Sequence, residues 1–448
     1  MNKQNRPFLF IKEIILHSLG YVAAVILLIS LPIIYFFSPL LFPTEPQQPS
    51  HSITVRPLNK SNDSENSNNS NNSKGSARNS ADEARHATNH EADYEVDREA
   101  KSAHIESISN LLAGHEHSLS ITSAGSLWAW GGNTSGQLGN DSITNRDTPV
   151  QIGQDSNWTA VTAGWRHTLA LKNDGSLWAW GQLGESHESI WHTPIRIGQD
   201  SNWATVRAGW RHSIALKSDG SLWAWGDNMF GQLGDGSEIT RPSPVRIGKD
   251  NDWTVIATRV FYNLALKSDG SLWEWGATSS HTPARIGQDN NWTAIATGGN
   301  SLPIPFSHSL AIKDDGSLWA WGRNMYGQLG DGSDASPHSL VRIGKGNNWA
   351  AVATGGYHSL ALKKDGSLWA WGHNKYGQLG DGSETNRHTP VRIGEDNDWT
   401  AIATGEYHSL ALKKNGSLWA WGQNALGQLG DSSTENSPSP IQVGEESY

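Results

Sequence analysis

The sequence predicts an all-β fold, a seven-bladed β-propeller of four-stranded blades, preceded by one transmembrane helix and a disordered tether. Three observations predict it. A short tryptophan-rich motif returns seven times at intervals of 45 to 50 residues, a period typical of propeller blades. The chain contains 23 tryptophans and 47 glycines, an enrichment that also indicates a repeated unit. An apolar run without charged side chains lies near the amino terminus.

Composition excludes several kinds of chemistry. The 448 residues include 34 basic and 44 acidic side chains, a net charge of -10, and no cysteine. Disulfides, thiolate metal sites and cysteine nucleophiles are therefore excluded. The acidic balance argues against duplex nucleic acid as a partner.

The apolar run at 14–37 predicts a transmembrane helix. Its 24 residues would span roughly 36 Å as a helix, enough to cross a hydrocarbon core of ~30 Å. Three basic residues precede the run, and the next one follows only at Arg56. The positive-inside rule then places residues 1–13 in the cytoplasm and everything after the helix on the outer side. A cleaved signal peptide is the alternative, which the length of the run disfavours.

The composition of residues 38–104 predicts a disordered tether. They hold no apolar pattern that could form a core, and 14 of the 20 residues in 61–80 are serine or asparagine. Such a composition cannot bury enough apolar surface to fold. As a flexible coil the tether would have a root-mean-square span of roughly 45 Å.

Residues 105–448 predict the seven blades. The marker GSLWxWG begins at Gly125, Gly175, Gly220, Gly270, Gly316, Gly366 and Gly416. In the sixth copy we predict strands at 349–354, 358–363, 367–371 and 390–393, with a tight hairpin at Asp365-Gly366.

Side-chain size alternates along the third strand of each unit. Trp369 and Trp371 fall on one face of the strand, and Leu368 and Ala370 on the other. Because neighbouring blades cover both faces of a blade, a bulky row can fill the space that a small row leaves. Fourteen of the tryptophans belong to this strand, so we expect most of the aromatic excess to be core.

The two ends of the repeat region predict how the ring closes. The first unit starts directly at a strand over 108–113, and the last unit finishes with a strand over 440–443. We therefore expect the carboxyl-terminal strand to complete the blade that the amino-terminal end begins, leaving no free edge.

Three motifs resemble those of the regulator of chromosome condensation repeat family. They are the marker GSLWAWG, the strand motif HSLALK, and the loop N-x-x-GQLGDGS at 228–237, 324–333 and 374–383. The resemblance covers 105–448 and implies a seven-bladed propeller. Family members include a nucleotide exchange factor for a small GTPase, a plant photoreceptor, a secreted β-lactamase inhibitor and many bacterial proteins, so the resemblance implies no single function. We expect a bacterial, membrane-anchored member.

A histidine recurs at one place in six units, with Asn263 in the fourth. The histidines are His117, His167, His212, His308, His358 and His408. Equivalent positions belong to different blades, whereas metal ligands must converge on one ion. A structural hydrogen bond is therefore the prediction. The aspartates of the GQLGDGS loops lack calcium-loop spacing and predict turns instead.

The residues just before this histidine predict a hairpin turn at one rim of the propeller. Six of the seven turns carry an aromatic residue, and large apolar side chains are unusual at loop tips. The predicted protein-binding residues are Trp165, Arg166, Trp210, Arg211, Phe261, Tyr262, Phe306, Tyr357 and Tyr407. The alternative is that these rings fold back over the blade tops as packing.

Two turns, GWRHT at 164–168 and GWRHS at 209–213, look like the motif of the plant photoreceptor. Only two copies occur, so we infer a tryptophan–arginine patch of cation–π character and not light sensing.

The fourth unit departs most from the others. Arg259 replaces a turn glycine, Glu274 replaces the small residue between two tryptophans, and the GQLG loop is missing. A carboxylate that faces a neighbouring blade is costly unless paired. We therefore predict that Glu274 pairs with Arg259 or another cation.

The sequence indicates a binding protein and not an enzyme. No nucleophile–base arrangement, acid/base carboxylate pair or phosphate-binding loop stands out from the repeat, and no cofactor or metal is predicted. The prediction is a membrane-anchored propeller that binds an unknown protein partner. One alternative is a small-GTPase regulator by family analogy, which requires a cytoplasmic propeller. The other is an exported inhibitor of an enzyme, which requires processing near residue 40.

Overall fold

The computed structural model describes residues 108–183, 190–277, 279–300 and 307–444. They form seven four-stranded antiparallel sheets, numbered here as blades 1 to 7 in chain order. The predictions for 1–13, for the helix at 14–37, for the tether at 38–104 and for Phe306 lie outside the described residues. Within the described ranges, no helix is long and apolar enough to cross a membrane.

Each blade takes its four strands from one continuous stretch of chain. Blades 1 to 4 are formed by β1 (Ile108–Ala113), β2 (His117–Thr122), β3 (Leu127–Gly131), β4 (Arg146–Gln151), β5 (Trp158–Ala163), β6 (His167–Lys172), β7 (Leu177–Gln182), β8 (Ile190–Arg196), β9 (Trp203–Ala208), β10 (His212–Lys217), β11 (Leu222–Gly226), β12 (Arg241–Ile247), β13 (Trp253–Arg259), β14 (Tyr262–Lys267), β15 (Leu272–Gly276) and β16 (Ala284–Ile286). Blades 5 to 7 are formed by β17 (Trp292–Gly299), β18 (Ser307–Lys313), β19 (Leu318–Gly322), β20 (Val341–Arg342), β21 (Trp349–Thr354), β22 (His358–Lys363), β23 (Leu368–Gly372), β24 (Arg387–Arg392), β25 (Trp399–Thr404), β26 (His408–Lys413), β27 (Leu418–Gly422) and β28 (Ser437–Gln442).

The predicted strands of the sixth unit agree closely with blade 6. The first two are confirmed residue for residue, the third lies one residue later, and the fourth begins earlier, at Arg387. Gly366 in the predicted hairpin has a φ of 79°, a left-handed conformation in which any Cβ would be strained.

The packing of large against small side chains between blades is confirmed. Trp371 is fully buried against Leu318 and Ala320 of blade 5. On the opposite face of blade 6, Leu368 and Ala370 pack against the tryptophans of blade 7. The alternation along the third strand therefore produces complementary faces around the ring.

A polar clasp joins blades at five of the seven interfaces. The GQLG loop, which connects the third and fourth strands, presents a glutamine carbonyl to the next blade. There the second tryptophan of the third strand donates its indole N–H to that carbonyl. The pairs are Trp130 with Gln428, Trp180 with Gln137, Trp275 with Gln232, Trp371 with Gln328 and Trp421 with Gln378. All five tryptophans are completely buried.

The predicted mode of ring closure is wrong. β28 pairs with β27 of its own unit, and β4 already fills the outer position of blade 1. No blade lacks a strand, because the connection after each third strand returns the chain to the outer edge of the same sheet. The ring closes instead by packing β1 against β25 and β26 and by the clasp between Trp130 and Gln428.

Candidate protein-binding surface

The turns between the first and second strands of the blades converge around the propeller axis. The first strands of all neighbouring blades contact one another and are therefore innermost. Backbone hydrogen bonds join several of these turns in sequence, including Glu406 N–H to His115 O, 3.3 Å, and Gly356 N–H to Glu406 O, 3.0 Å. In an antiparallel meander the loop after the third strand lies at the same end as the turn after the first. We call this end the rim face.

The tryptophans of the two GWRH turns lie side by side on the rim face. The ring centroids of Trp165 and Trp210 are 4.8 Å apart. The Arg166 guanidinium lies 4.1 Å from the Trp165 centroid, and that of Arg211 lies 4.8 Å from the Trp210 centroid. The structure therefore brings together the four residues that the sequence predicted as a patch, which we call the Trp/Arg cluster.

The cations of this cluster have no acidic partner among the described residues. None of the ion pairs there involves Arg166 or Arg211. Arg211 is exposed, while Arg166 and both tryptophans are half-buried. Beside them is a cleft of about 500 Å³ between blades 2 and 3, whose described wall includes Trp191 and Trp225.

Two other predicted rim aromatics are buried, contrary to the expectation of an exposed aromatic rim. Phe261 is 4 % exposed and Tyr357 is 8 % exposed. Phe261 contacts Trp210 and Phe230, and Tyr357 contacts Tyr326 from the preceding GQLG loop. In both cases a ring from the loop of the preceding blade helps to exclude water from the rim aromatic. Tyr407 stays half-buried.

Tyr262 does not lie on the rim, which corrects the predicted register of the fourth unit. It pairs with Gly276 as His117 pairs with Gly131, so it occupies the histidine position. Asn263 consequently occupies the serine position and not the histidine position. Tyr262 is 6 % exposed, and its hydroxyl donates to Glu274. The same shift places Phe261 where Arg166 stands in the second unit.

The recurring histidines hydrogen-bond across the blade interfaces, as predicted. His358 Nε2 lies 2.9 Å from the hydroxyl of Ser409 in the next blade, and that hydroxyl donates to the carbonyl of Gln378. His408 makes the same bond to Ser118 across the closure, 3.0 Å. Burial lowers the pKa of His408 to about 3, so the ring is neutral at physiological pH. Its role is structural.

A second aromatic cluster lies on the rim face of blades 5 to 7, and the sequence analysis missed most of it. Tyr326 and Tyr376 contact Tyr357 and Tyr407 at centroid distances of 5.3 and 5.2 Å, and His373 packs among them. The signal was present in the sequence, because an aromatic residue precedes GQLG in the third, fifth and sixth units.

Among the described residues, the exposed large hydrophobic side chains lie at the rim end of the blades. Four lie in the loops that connect third and fourth strands, and the fifth lies at the start of a fourth strand. They are Ile143, Met229, Ile239, Met325 and Trp191, each 47 to 61 % exposed. A concentration of exposed apolar side chains at one end is typical of a protein-binding surface.

The opposite end of the blades has a different chemistry. There a lysine lies over two tryptophan rings and pairs with an aspartate, as Lys217 does with Trp203, Trp223 and Asp200. A lysine over two tryptophan rings with an aspartate partner recurs in four other blades. These lysines differ from Arg166 and Arg211, which have no ion pair among the described residues.

A charged network crosses the axis under the rim turns. Glu406 is 4 % exposed and pairs with His115 and with the amide of Asn300. Arg259 lies nearby, where burial lowers its pKa and the Glu406 charge raises it. Glu406 therefore connects the turn of blade 7 to His115 of blade 1 and to Asn300 of blade 5.

The predicted cation partner of Glu274 is wrong. No ion pair of the described residues involves Glu274, and its hydrogen-bond donor is the Tyr262 hydroxyl. Arg259 instead directs its Nε toward the carbonyl of Gly299. Tyr262, which occupies the histidine position on the neighbouring strand, is therefore a neutral hydrogen-bond donor to Glu274 in place of the predicted cation.

Three solved structures share this fold. Human WBSCR16 is 22 % identical, with a TM-score of 0.62, covering 71 % of this chain and 93 % of its own. Yeast RCC1 (Prp20) bound to Kap60 is 20 % identical, with a TM-score of 0.63, covering 77 % and 86 %. Saccharomyces cerevisiae Prp20p, in a structure described with its binding to Gsp1p and histones, is also 20 % identical at a TM-score of 0.63, covering 77 % and 87 %.

No curated protein matches the chain in sequence. Two sequence models of the regulator of chromosome condensation (RCC1) repeat do match it. The first matches 124–171, 219–266, 315–362, 365–412 and 415–447, and the second matches 158–185, 203–232, 349–378 and 399–428. These ranges cover more than half of the chain, and most ranges of the first model run from the third strand of one blade to the second strand of the next. The chain therefore belongs to the regulator of chromosome condensation (RCC1) repeat family.

Proposed function

We propose that this chain is a membrane-anchored interaction platform whose propeller binds a protein partner through the rim face. The observation that carries the proposal is the Trp/Arg cluster, in which two guanidinium groups that have no acidic partner among the described residues lie over neighbouring indole rings. Tryptophan and arginine are the residues most enriched in binding hot spots. The proposal includes no catalytic step.

The charge of the cluster indicates the chemistry of the partner. Arg166 and Arg211 are cationic groups on a chain whose net charge is -10. A partner surface with carboxylates beside an apolar side chain would complement them, the apolar group entering the cleft near Trp191. Electrostatic complementarity of this kind steers encounter and fixes orientation.

The expected topology comes from the amino-terminal sequence. The apolar run at 14–37 and the basic residues before it favour an anchor with the propeller on the outer side. A topology reporter fused after Tyr448 tests this directly, and activity of the reporter on the cytoplasmic side would refute it. Sequencing of the mature amino terminus tests the exported alternative, which requires cleavage near residue 40.

The double substitution Trp165→Ala/Trp210→Ala is expected to lower partner capture at least tenfold. It removes two half-buried rings and the surface over which both guanidinium groups lie, and hot-spot truncations commonly cost about 2 kcal/mol or more. The measurement is chemical crosslinking in the native host, followed by purification and quantification of the captured proteins.

Two further variants sharpen this experiment. Arg166→Glu/Arg211→Glu should reduce capture by charge repulsion while keeping the indole rings. Lys249→Ala, an exposed position between blades 3 and 4 at the opposite end, should capture the partner as the wild type does. Equal capture by all four proteins would refute the Trp/Arg cluster as the binding surface.

A regulator of a small GTPase would require the opposite topology. Prp20p is described with its binding to Gsp1p, yet a likeness at 20 % identity supports the fold alone. Recovery of a cytoplasmic GTPase as the captured partner would contradict the platform proposed here.

A further inference from the structure

Among the described residues, the carbonyl clasp is absent at two blade interfaces, and each of these interfaces contains a cleft. In blade 4 the connection between the third and fourth strands is only 277–283, against 373–386 in blade 6. No GQLG loop therefore covers the neighbouring blade. The tryptophans at these two interfaces, Trp225 and Trp321, remain 9 % and 6 % exposed, whereas those at clasped interfaces are completely buried.

The cleft between blades 4 and 5 has a volume of about 430 Å³. Its described lining is mixed, with ring, carboxylate and hydroxyl groups: Tyr262, Glu274, Ser309, Trp321, Arg323 and His338. The space is therefore large enough for a small ligand or one long side chain and contains polar groups that could orient it.

Glu274 is the residue that distinguishes this cleft from every other interface. The six other units carry alanine at its position: Ala129, Ala179, Ala224, Ala320, Ala370 and Ala420. Those alanines are completely or almost completely buried against the next blade. Glu274 is half-buried, and its unit also lacks the GQLG loop.

Among the described residues, the carboxylate of Glu274 has a hydrogen-bond donor but no ion-pair partner. Tyr262 donates its hydroxyl, and burial raises the pKa of Tyr262 well above its usual value, so the phenol keeps its proton. Trp321 in turn directs its indole N–H toward the Tyr262 oxygen, 3.4 Å. Arg323 lines the same cleft, where its guanidinium lies over the ring of Tyr357 and against the sulfur of Met325 and forms no ion pair with Glu274.

A half-buried carboxylate between aromatic rings is a receptor for a positive charge. An unpaired carboxylate in such a place costs free energy that an incoming cation recovers. Faces of tyrosine and tryptophan add cation–π attraction once the site is desolvated. Within the described residues, this cleft combines a carboxylate without an ion-pair partner, two aromatic side chains in its lining and open volume.

We propose that the cleft between blades 4 and 5 binds a guanidinium or primary ammonium group, which forms an ion pair with Glu274 against Tyr262 and Trp321. The group could belong to a free small amine or to an arginine or lysine side chain of a polypeptide. The proposal does not rest on the function proposed for the Trp/Arg cluster.

Isothermal titration calorimetry with three probes tests this site. Agmatine represents a free amine, acetyl-Gly-Arg-Gly-amide represents a side chain within a polypeptide, and acetyl-Gly-citrulline-Gly-amide is the neutral control of similar shape. At least one cationic probe is expected to bind and the citrulline peptide is not. Preference for agmatine over the arginine peptide would identify a small-molecule source, and the reverse would identify a polypeptide.

Glu274→Ala is the matched variant, because it restores the residue that the other six units carry. It should fold, unfold at a temperature no lower than the wild type, and bind the preferred probe at least tenfold more weakly. Trp165→Ala/Trp210→Ala should bind that probe as the wild type does, which separates this site from the Trp/Arg cluster. Unchanged affinity in Glu274→Ala, equal binding of the citrulline peptide, or no binding of either cation would overturn the proposal.

Discussion

Acidification from pH 6.5 to about pH 5 is expected to lower the free energy of unfolding steeply. Six histidines are buried between blades or at their inner ends, and burial lowers the pKa of His117, His308 and His408 to about 3 and that of His167 to about 4. Burial also lowers the pKa of His212 and His358. In the unfolded chain the same rings titrate near 6.5.

The sign follows from which state binds more protons. Below pH 6.5 the unfolded chain takes up protons that the folded chain cannot, so acid favours unfolding. The stability is complete above pH 6.5 and is lost as the pH falls toward the folded pKa values. Each histidine contributes a slope of about 1.4 kcal/mol per pH unit at most. Ordinary carboxylates titrate below this pH range, so they contribute little to the slope between pH 6.5 and pH 5.

Urea unfolding followed by tryptophan fluorescence at a series of pH values measures this slope. His358→Gln provides the control, since glutamine can still hydrogen-bond to Ser409 but does not titrate. The free energy of unfolding should change less with pH in this variant than in the wild type, by about the contribution of one histidine. A slope that does not change in the variant would show that the buried imidazoles are not the acid-sensitive groups.

Replacing Trp130 by alanine is expected to lower the free energy of unfolding by about 3 to 5 kcal/mol. Trp130 is completely buried among Leu410, Ala420 and other side chains of blade 7. The substitution leaves a large cavity at the closure of the ring and removes the indole N–H that reaches the Gln428 carbonyl, 3.0 Å. Urea unfolding at pH 7.5 measures the loss.

Trp371→Ala is the matched control, because Trp371 makes the same contacts at the interface of blades 5 and 6. Both substitutions should cost similar free energy if the closure is an interface like the others. Trp191→Ala, at a ring that is 47 % exposed, should cost far less. A loss below about 1 kcal/mol at Trp130 beside a full loss at Trp371 would indicate that something other than packing closes the ring.

The sequence predicted the parts of the fold that depend on local periodicity. Trp369 and Trp371 alternate with Leu368 and Ala370, which defines two faces of the strand whatever its place in the fold. The contacts with the neighbouring blades confirm both faces. The structural role of the histidines followed from the same logic, because one position repeated in separate blades cannot converge on a metal.

The incorrect predictions concern non-local geometry. The alignment of Asn263 with the recurring histidines predicts Tyr262 on the rim, whereas the pairing of Tyr262 with Gly276 places it one residue further into the blade. Phe261 and Tyr357 are buried by rings from loops far along the chain, at Phe230 and Tyr326. The cleft at Glu274 depends on the absence of a loop from one blade and the shape of the next. None of these features can be predicted from a short stretch of sequence, because each depends on residues that are distant along the chain.

The continuous, self-contained blades bear on how such a ring is inherited and engineered. Since every sector is one uninterrupted stretch of sequence that docks on its neighbours by the same side-chain contacts, an in-frame duplication or deletion adds or removes a whole sector without dividing any sheet. New termini could likewise be opened between any two sectors and the old ones joined. A change confined to one sector, such as the short loop of the fourth, alters one cleft and leaves the other sectors in place.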